Sequence, residues 1–176
     1  MYGIIATWRM ALEGISKADS MLKNNESAAD SIEEAIKAVE DFEYYKSVGY
    51  GGLPNEEMEV ELDAAFMDGD TLEFGCVGGI KDFANPVSIA RSLMHYDANN
   101  FLIGQGAEKY ASRHGFERKT MLTDRAKIHY HNRTKEITNT ELKPYSGHDT
   151  VGMVCLDTAG HMTCATSTSG LFMKHP

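Results

Sequence analysis

Residues 144–157 read PYSGHDTVGMVCLD, so three polar side chains, His148, Asp149 and Thr150, stand at the mouth of an apolar run. A threonine hydroxyl is a weak nucleophile unless a base lies within reach. One arrangement supplies that base without a second residue. Breaking the Asp149–Thr150 peptide bond frees the α-amino group of Thr150, whose ordinary pKa of about 8 suits it to take the hydroxyl proton. Asp149 puts a carboxyl beside the scissile carbonyl, and Gly147 lets the backbone bend tightly there. The plainer reading of Thr150 is a strand-start residue that caps a loop. His148 has two readings as well: it orients the Asp149 carboxylate, or it is a surface loop histidine. Asp63 and Asp68 read as turn and hydrogen-bond residues rather than acid–base catalysts. His129 and His131, in KIHYH (127–131), could bind zinc with His148 or a cysteine, but residues two apart share a face only on a strand, and this stretch is helix-like.

The chain around these residues is 176 long, a size for one domain with a real core. With 42% hydrophobic and 24% charged residues it reads as globular rather than disordered. The net charge of −9 and the lack of a basic stripe argue against nucleic acid and anionic membranes as partners. No apolar run reaches the length of a membrane span. The N-terminus reads as a strand rather than a secretion signal. Cys76, Cys155 and Cys164 are odd in number and widely spaced, which predicts free thiols in a reducing, cytoplasmic setting. Core packing is the expected role of Cys155 and Cys164.

The elements that must position the site follow from periodicity. GIIATW (3–8) predicts a buried strand. Ala11, Ile15, Ala18 and Leu22 mark one helix face. Ser27 with Asp30 predicts the N-terminal cap of a second helix, with Ile32, Ile36 and Val39 buried and its Glu and Lys residues facing water. YYKSVGYGGLPN (44–55) predicts a loop that needs positive φ or close backbone approach. Residues 60–80 predict two strands joined at Asp68-Gly69-Asp70. NPVSIARSLM (85–94) predicts a helix capped by Asn85 with Pro86 at its first position. NNFLIGQGA (99–107) predicts a short strand, a turn and a helix to about Arg113, and residues 124–145 a helix fading into a loop. Residues 150–157 and 162–170 predict a second hairpin. Together these give an α+β fold with helices over at least one mainly antiparallel sheet.

Several blocks in order carry a family resemblance: TW (7–8), SVGYGGLPN (47–55) followed by VELDAAFMDG (60–69), GHDTVGMVCLD (147–157) and ATSTSG (165–170). Together they resemble the glycosylasparaginases (aspartylglucosaminidases) of the N-terminal-nucleophile hydrolase superfamily, over essentially the whole chain. The resemblance implies a four-layer αββα sandwich with two stacked sheets, incomplete in this chain. It implies a single domain divided by autocleavage into an α segment, 1–149, and the start of a β segment, 150–176. Thr150 would be nucleophile and then base, and Asp149 the last residue of the α segment. Thr168 would hydrogen-bond the Thr150 hydroxyl, Trp8 would wall the substrate pocket, and Ser47 would contact substrate. Strand alternation lets only one of Ser167 and Thr168 face Thr150, and the motif selects Thr168. The implied reaction is hydrolysis of the amide joining N-acetylglucosamine to asparagine through a β-aspartyl ester. No metal or organic cofactor is implied. The expected partners are a small-molecule glycosylasparagine or β-aspartyl substrate and, in a complete chain, a second copy in an (αβ)₂ assembly.

The sequence departs from that pattern in two places. A Gly-Arg-x-Gly-Asp segment and a later Thr-Gly pair, which in the family bind substrate and build the oxyanion hole, lie outside these 176 residues. The expectation is therefore a fragment without activity of its own. Met58 stands where relatives usually carry Gly, which predicts a differently shaped turn. Two other functions compete with the first: an isoaspartyl peptidase/L-asparaginase of the same superfamily, and a non-enzymatic or metal-binding module.

Overall fold

The computed structural model describes residues 1–137 and 149–176. Its strands are β1 (Gly3–Ala6), β2 (Glu61–Asp68), β3 (Phe74–Lys81), β4 (Phe101–Ile103), β5 (Val151–Leu156) and β6 (Met162–Thr168). Its helices are α1 (Leu12–Lys23), α2 (Ala28–Glu40), α3 (Pro86–Leu93), α4 (Gly104–Arg113) and α5 (Asp124–Ile137), and a 3₁₀ turn at Arg9–Ala11 precedes α1. The strands form one sheet in the order β1-β5-β6-β2-β3-β4. Every pairing is antiparallel except β3 with β4. Among the described residues no helix is long and apolar enough to cross a membrane.

Period-two alternation divides the sheet into a covered and an open face. Leu62, Ala64, Phe66, Val77, Val151, Met153, Cys155 and Ala165 are buried, and α2 and α3 pack against these central strands. Full burial of a side chain such as Phe66 stabilises by about 1.5–3 kcal/mol. The approach of α3 is close enough to require glycine on the sheet, because a Cβ at Gly75 would lie 2.0 Å from the Ala90 carbonyl oxygen. The alternate residues, Gly152, Val154, Cys164, Thr166 and Met67 among them, line an open, almost wholly apolar cleft of ≈ 560 Å³.

Capping explains one helix start as expected and another differently. Ser27 Oγ accepts from Asp30 N at 3.0 Å, fixing the first turn of α2. Asn85 precedes Pro86 but sits in the left-handed region, φ 48, and caps nothing with its side chain. Instead Glu40 Oε1 accepts from Val87 N at 3.1 Å and so satisfies the start of α3. Glu40 is fully buried, against the expectation that the acidic residues of α2 all face water. Glu34 meets that expectation in part, bridging Lys17 and Lys37 at the surface.

Three further expectations need correction. β1 is an edge strand with Ile5 77% exposed, because only β5 pairs with it and the open face leaves one side bare. The β2–β3 connection is not a tight Asp-Gly turn; Asp68 Oδ1 accepts from Asp70 N and Thr71 N, and the loop runs to Glu73. Cys155 is buried, but Cys164 is only half-buried on the open face.

Candidate active site

The loop that delivers Ser47 is held by its own backbone. Leu53 N donates to Lys46 O at 2.7 Å, Tyr50 N to Glu40 O at 2.7 Å, and Gly51 N to Met121 O at 2.9 Å. Gly49, at φ 59, lies so close to α2 that a Cβ would fall 2.2 Å from Glu40 O. This is the close approach that the Gly-rich sequence predicts.

Ser47 is gripped from the far side by the end of β6. Its carbonyl accepts from Ser169 N at 2.6 Å and from Thr168 Oγ1 at 3.2 Å. Its own hydroxyl donates to the carbonyl oxygen of Asp149 at 2.9 Å. One residue further on, Thr7 Oγ1 donates to the Thr150 carbonyl at 2.9 Å and accepts from Gly152 N at 2.9 Å. Two consecutive carbonyls, those of Asp149 and Thr150, are thus held by hydroxyls from different parts of the chain.

Ser47, Asp149, Thr150 and Thr168 line one cleft of ≈ 350 Å³, together with Lys46, His129, Leu53 and Phe172. The alternation of β6 places Ser167 on the buried side, beside the Glu40 carboxyl but without a hydrogen bond of its own, and leaves Thr168 half-buried in the cleft. The Thr168 hydroxyl donates its single proton to Ser47 O and accepts from Gly170 N, so towards any further hydroxyl it serves as an acceptor.

Trp8 is placed differently from the other candidates. It lines a neighbouring cleft of ≈ 230 Å³ with Tyr44, Tyr45, Lys46, Ser47 and Asp149, so the two clefts share a wall. Trp8 is 56% exposed and holds φ 62, a strained conformation for a bulky residue.

Sequence reasoning missed Thr7 and weighed His129 only as a zinc ligand, not as part of this cleft. His129 reaches the cleft from α5, which Thr123 caps at Ala126 N and which Tyr130 ties to Glu56 O at 2.6 Å. Burial lowers the pKa of His129, and the charges of Lys46 and Arg125 lower it further. His129 and His131 lie on a helix and stand about 200° apart around it. Among the described residues no group of three or more His, Cys, Asp or Glu side chains could hold a metal ion. His148 and Gly147 lie outside the described residues.

Glu40 lies behind this region. Desolvation raises its pKa to about 8, against hydrogen bonds from Val87 N and Asn85 Nδ2 that favour the charged form. Asp63 Oδ1 accepts from Gly79 N and Asp68 Oδ1 from the turn amides, which gives both the structural roles expected of them.

Comparison with known proteins adds the family. The chain is 32% identical over 171 residues to the N(4)-(beta-N-acetylglucosaminyl)-L-asparaginase of Elizabethkingia miricola, covering 97% of this chain and 50% of that protein. It is 36% identical over 169 residues to the isoaspartyl peptidase/L-asparaginase of Rattus norvegicus, covering 92% of this chain and 50% of that one. It is 32% identical over 171 residues to the isoaspartyl peptidase of Escherichia coli K12, covering 92% and 53%. The chain therefore spans about half the length of these curated relatives. With the sequence model of that family matching residues 6–176, nearly the whole chain, the protein belongs to the Asparaginase_2 (asparaginase) family.

Proposed function

We propose that this chain carries the cleavage site and nucleophile of an autoprocessing amidohydrolase that hydrolyses the side-chain amide of N4-(β-N-acetylglucosaminyl)-L-asparagine. The observation that supports this best is the convergence of Ser47, Asp149, Thr150 and Thr168 on one cleft from separate segments of the chain. Cleavage between 149 and 150 divides the domain into an α segment and the beginning of a β segment. It turns the Thr150 nitrogen from an amide, which is no base, into an amine that is one.

The sugar part of the reading rests on the adjoining cleft. Trp8, Tyr44 and Tyr45 line it beside Asp149, and aromatic faces pack well against the apolar faces of a sugar ring. The fold part, a four-layer αββα sandwich, draws support from the apolar cleft on the open face of the sheet, a surface suited to a second sheet. An (αβ)₂ assembly goes with the same reading.

A second reading, an isoaspartyl peptidase/L-asparaginase, is favoured by the 36% identity to the rat protein of that name. Turnover of a glycosylasparagine and of a β-aspartyl dipeptide by the full-length protein separates the two. The first reading expects kcat/KM for the glycosylasparagine to exceed that for the dipeptide by at least about tenfold, equivalent to about 1.4 kcal/mol; a preference for the dipeptide overturns it.

A further inference from the structure

We propose that Lys46, with Arg125 and His129 beside it, forms a cationic subsite for a carboxylate carried by the amine half of the substrate. This rests on the amidohydrolase reading above and adds to it a charged group on the part that leaves. Two sources carry that chemistry, the C-terminal carboxylate of a β-aspartyl peptide and the carboxylate of an acidic sugar.

Arg125 and His129 stand four apart on α5 and so share one of its faces. That face lies against the segment leading to Ser47. The Arg125 guanidinium sits 4.8 Å from the centre of the Tyr44 ring, and its Nη1 donates to Glu43 O at 3.4 Å. One turn further on, His129 lines the Thr150 cleft together with Lys46. Helix α5 is held in that position, because Thr123 caps Ala126 N and Tyr130 donates to Glu56 O.

These cations are not neutralised where they stand. Lys17, Lys37, Lys81 and Arg91 each meet a carboxylate in an ion pair. Among the described residues neither Lys46 nor Arg125 has one within ion-pair distance, and the His129 ring makes no hydrogen bond. Of the acids at this wall, Glu13 accepts from Tyr45 Oη at 3.3 Å, and Asp149 lines both clefts. Burial lowers the His129 pKa and the charges of Lys46 and Arg125 lower it further, so both cations act at this wall. A chain of net charge −9 repels an anionic ligand overall, and a local set of cations gives one a place to bind.

The place also suits the amine half. The acyl carbon must meet the Thr150 hydroxyl, and Lys46 lines both the cleft of Thr150 and the adjoining cleft of Trp8, Tyr44 and Tyr45. A group that leaves Thr150 for the adjoining cleft passes Lys46, where a carboxylate on it meets the ammonium.

The test compares kcat/KM of the full-length protein for two matched pairs of substrates. One pair is β-aspartyl-alanine and β-aspartyl-alaninamide; the other is N4-glucuronosyl-asparagine and N4-glucosyl-asparagine. Within each pair only one member has a carboxylate on the leaving amine. The wild type is expected to prefer that member of at least one pair by about fivefold, the size of one well-placed exposed ion pair, and chiefly through KM. The pair that shows the preference identifies the source. Lys46→Gln is expected to abolish the preference and Lys46→Arg to keep it, and raising KCl from about 0.05 to 0.5 M to shrink it. A merely structural role for Lys46 would change both members of a pair alike. If Lys46→Gln fails to fold, His129→Leu and the salt series decide by the same ratio, which both are expected to lower. Equal turnover within both pairs by the wild type, or a preference that survives these changes, overturns the subsite and leaves the amidohydrolase reading standing. No turnover of any of the four substrates overturns both.

Discussion

Glu40 Oε1 accepts the backbone hydrogen bond of Val87 at 3.1 Å from a fully buried position, so a carboxyl of α2 caps α3. Burial raises the Glu40 pKa from 4.5 to about 8. In the unfolded chain the group ionises near its ordinary value, while in the folded chain it keeps its proton to about pH 8. Its contribution to stability is complete below pH 4.5 and falls as pH rises towards 8, by at most about 1.4 kcal/mol per pH unit. Urea denaturation between pH 5 and 8 checks this against Glu40→Gln, which cannot ionise. The wild type is expected to lose stability relative to the variant as pH rises, and parallel profiles would contradict it.

The Thr7 hydroxyl serves two backbone groups, the Thr150 carbonyl and Gly152 N. Thr7→Val keeps the shape and removes both bonds. The expected loss is about 1–3 kcal/mol, with slower precursor cleavage, whereas Thr7→Ser retains both properties. A melt and a cleavage time course on the same samples check it.

Met58 holds φ 63, the backbone region that glycine adopts freely. A side chain there costs about 1–2 kcal/mol, and glycine's unfolded-state entropy takes back about 0.5–1 kcal/mol. Met58→Gly is therefore expected to stabilise the chain by roughly 0.5–1 kcal/mol, measured as a higher Tm. An unchanged or lower Tm would show that Met58 packing outweighs the strain.

His161 Nδ1 hydrogen-bonds the Asp70 carboxylate, joining the β5–β6 turn to the β2–β3 loop. That hydrogen bond and the charge of Asp70 raise the His161 pKa above its usual 6.5. An NMR titration is expected to find it raised, and Asp70→Asn to bring it back down. No movement in the variant would remove Asp70 as the cause.

Much of this architecture is legible from local pattern. The Ser27–Asp30 cap of α2 and the β5–β6 hairpin each depend on neighbours a few residues apart. What escapes the sequence depends on partners far along the chain. Thr7 is 143 residues from Thr150, and nothing near Thr7 signals that its hydroxyl will meet that carbonyl. Glu40 ends an otherwise amphipathic helix, and only the arrival of α3 gives its carboxyl a reason to be buried. His129 falls on a polar helix, where periodicity is too weak to show which side faces the cleft. Asn85 misleads for a related reason: Asn-Pro is a sound helix start, but the tertiary donor requirement at Val87 is met by Glu40, and Asn85 Nδ2 turns to Glu40 and Asp41.

The account stands or falls on whether the bond before Thr150 is opened by the Thr150 hydroxyl. Intact mass spectrometry of the purified full-length protein, with and without Thr150→Ala, measures this directly. The account predicts two chains divided between Asp149 and Thr150 in the wild type and one undivided chain in the variant. Division of the variant at the same bond, or a wild type that stays whole, would contradict it.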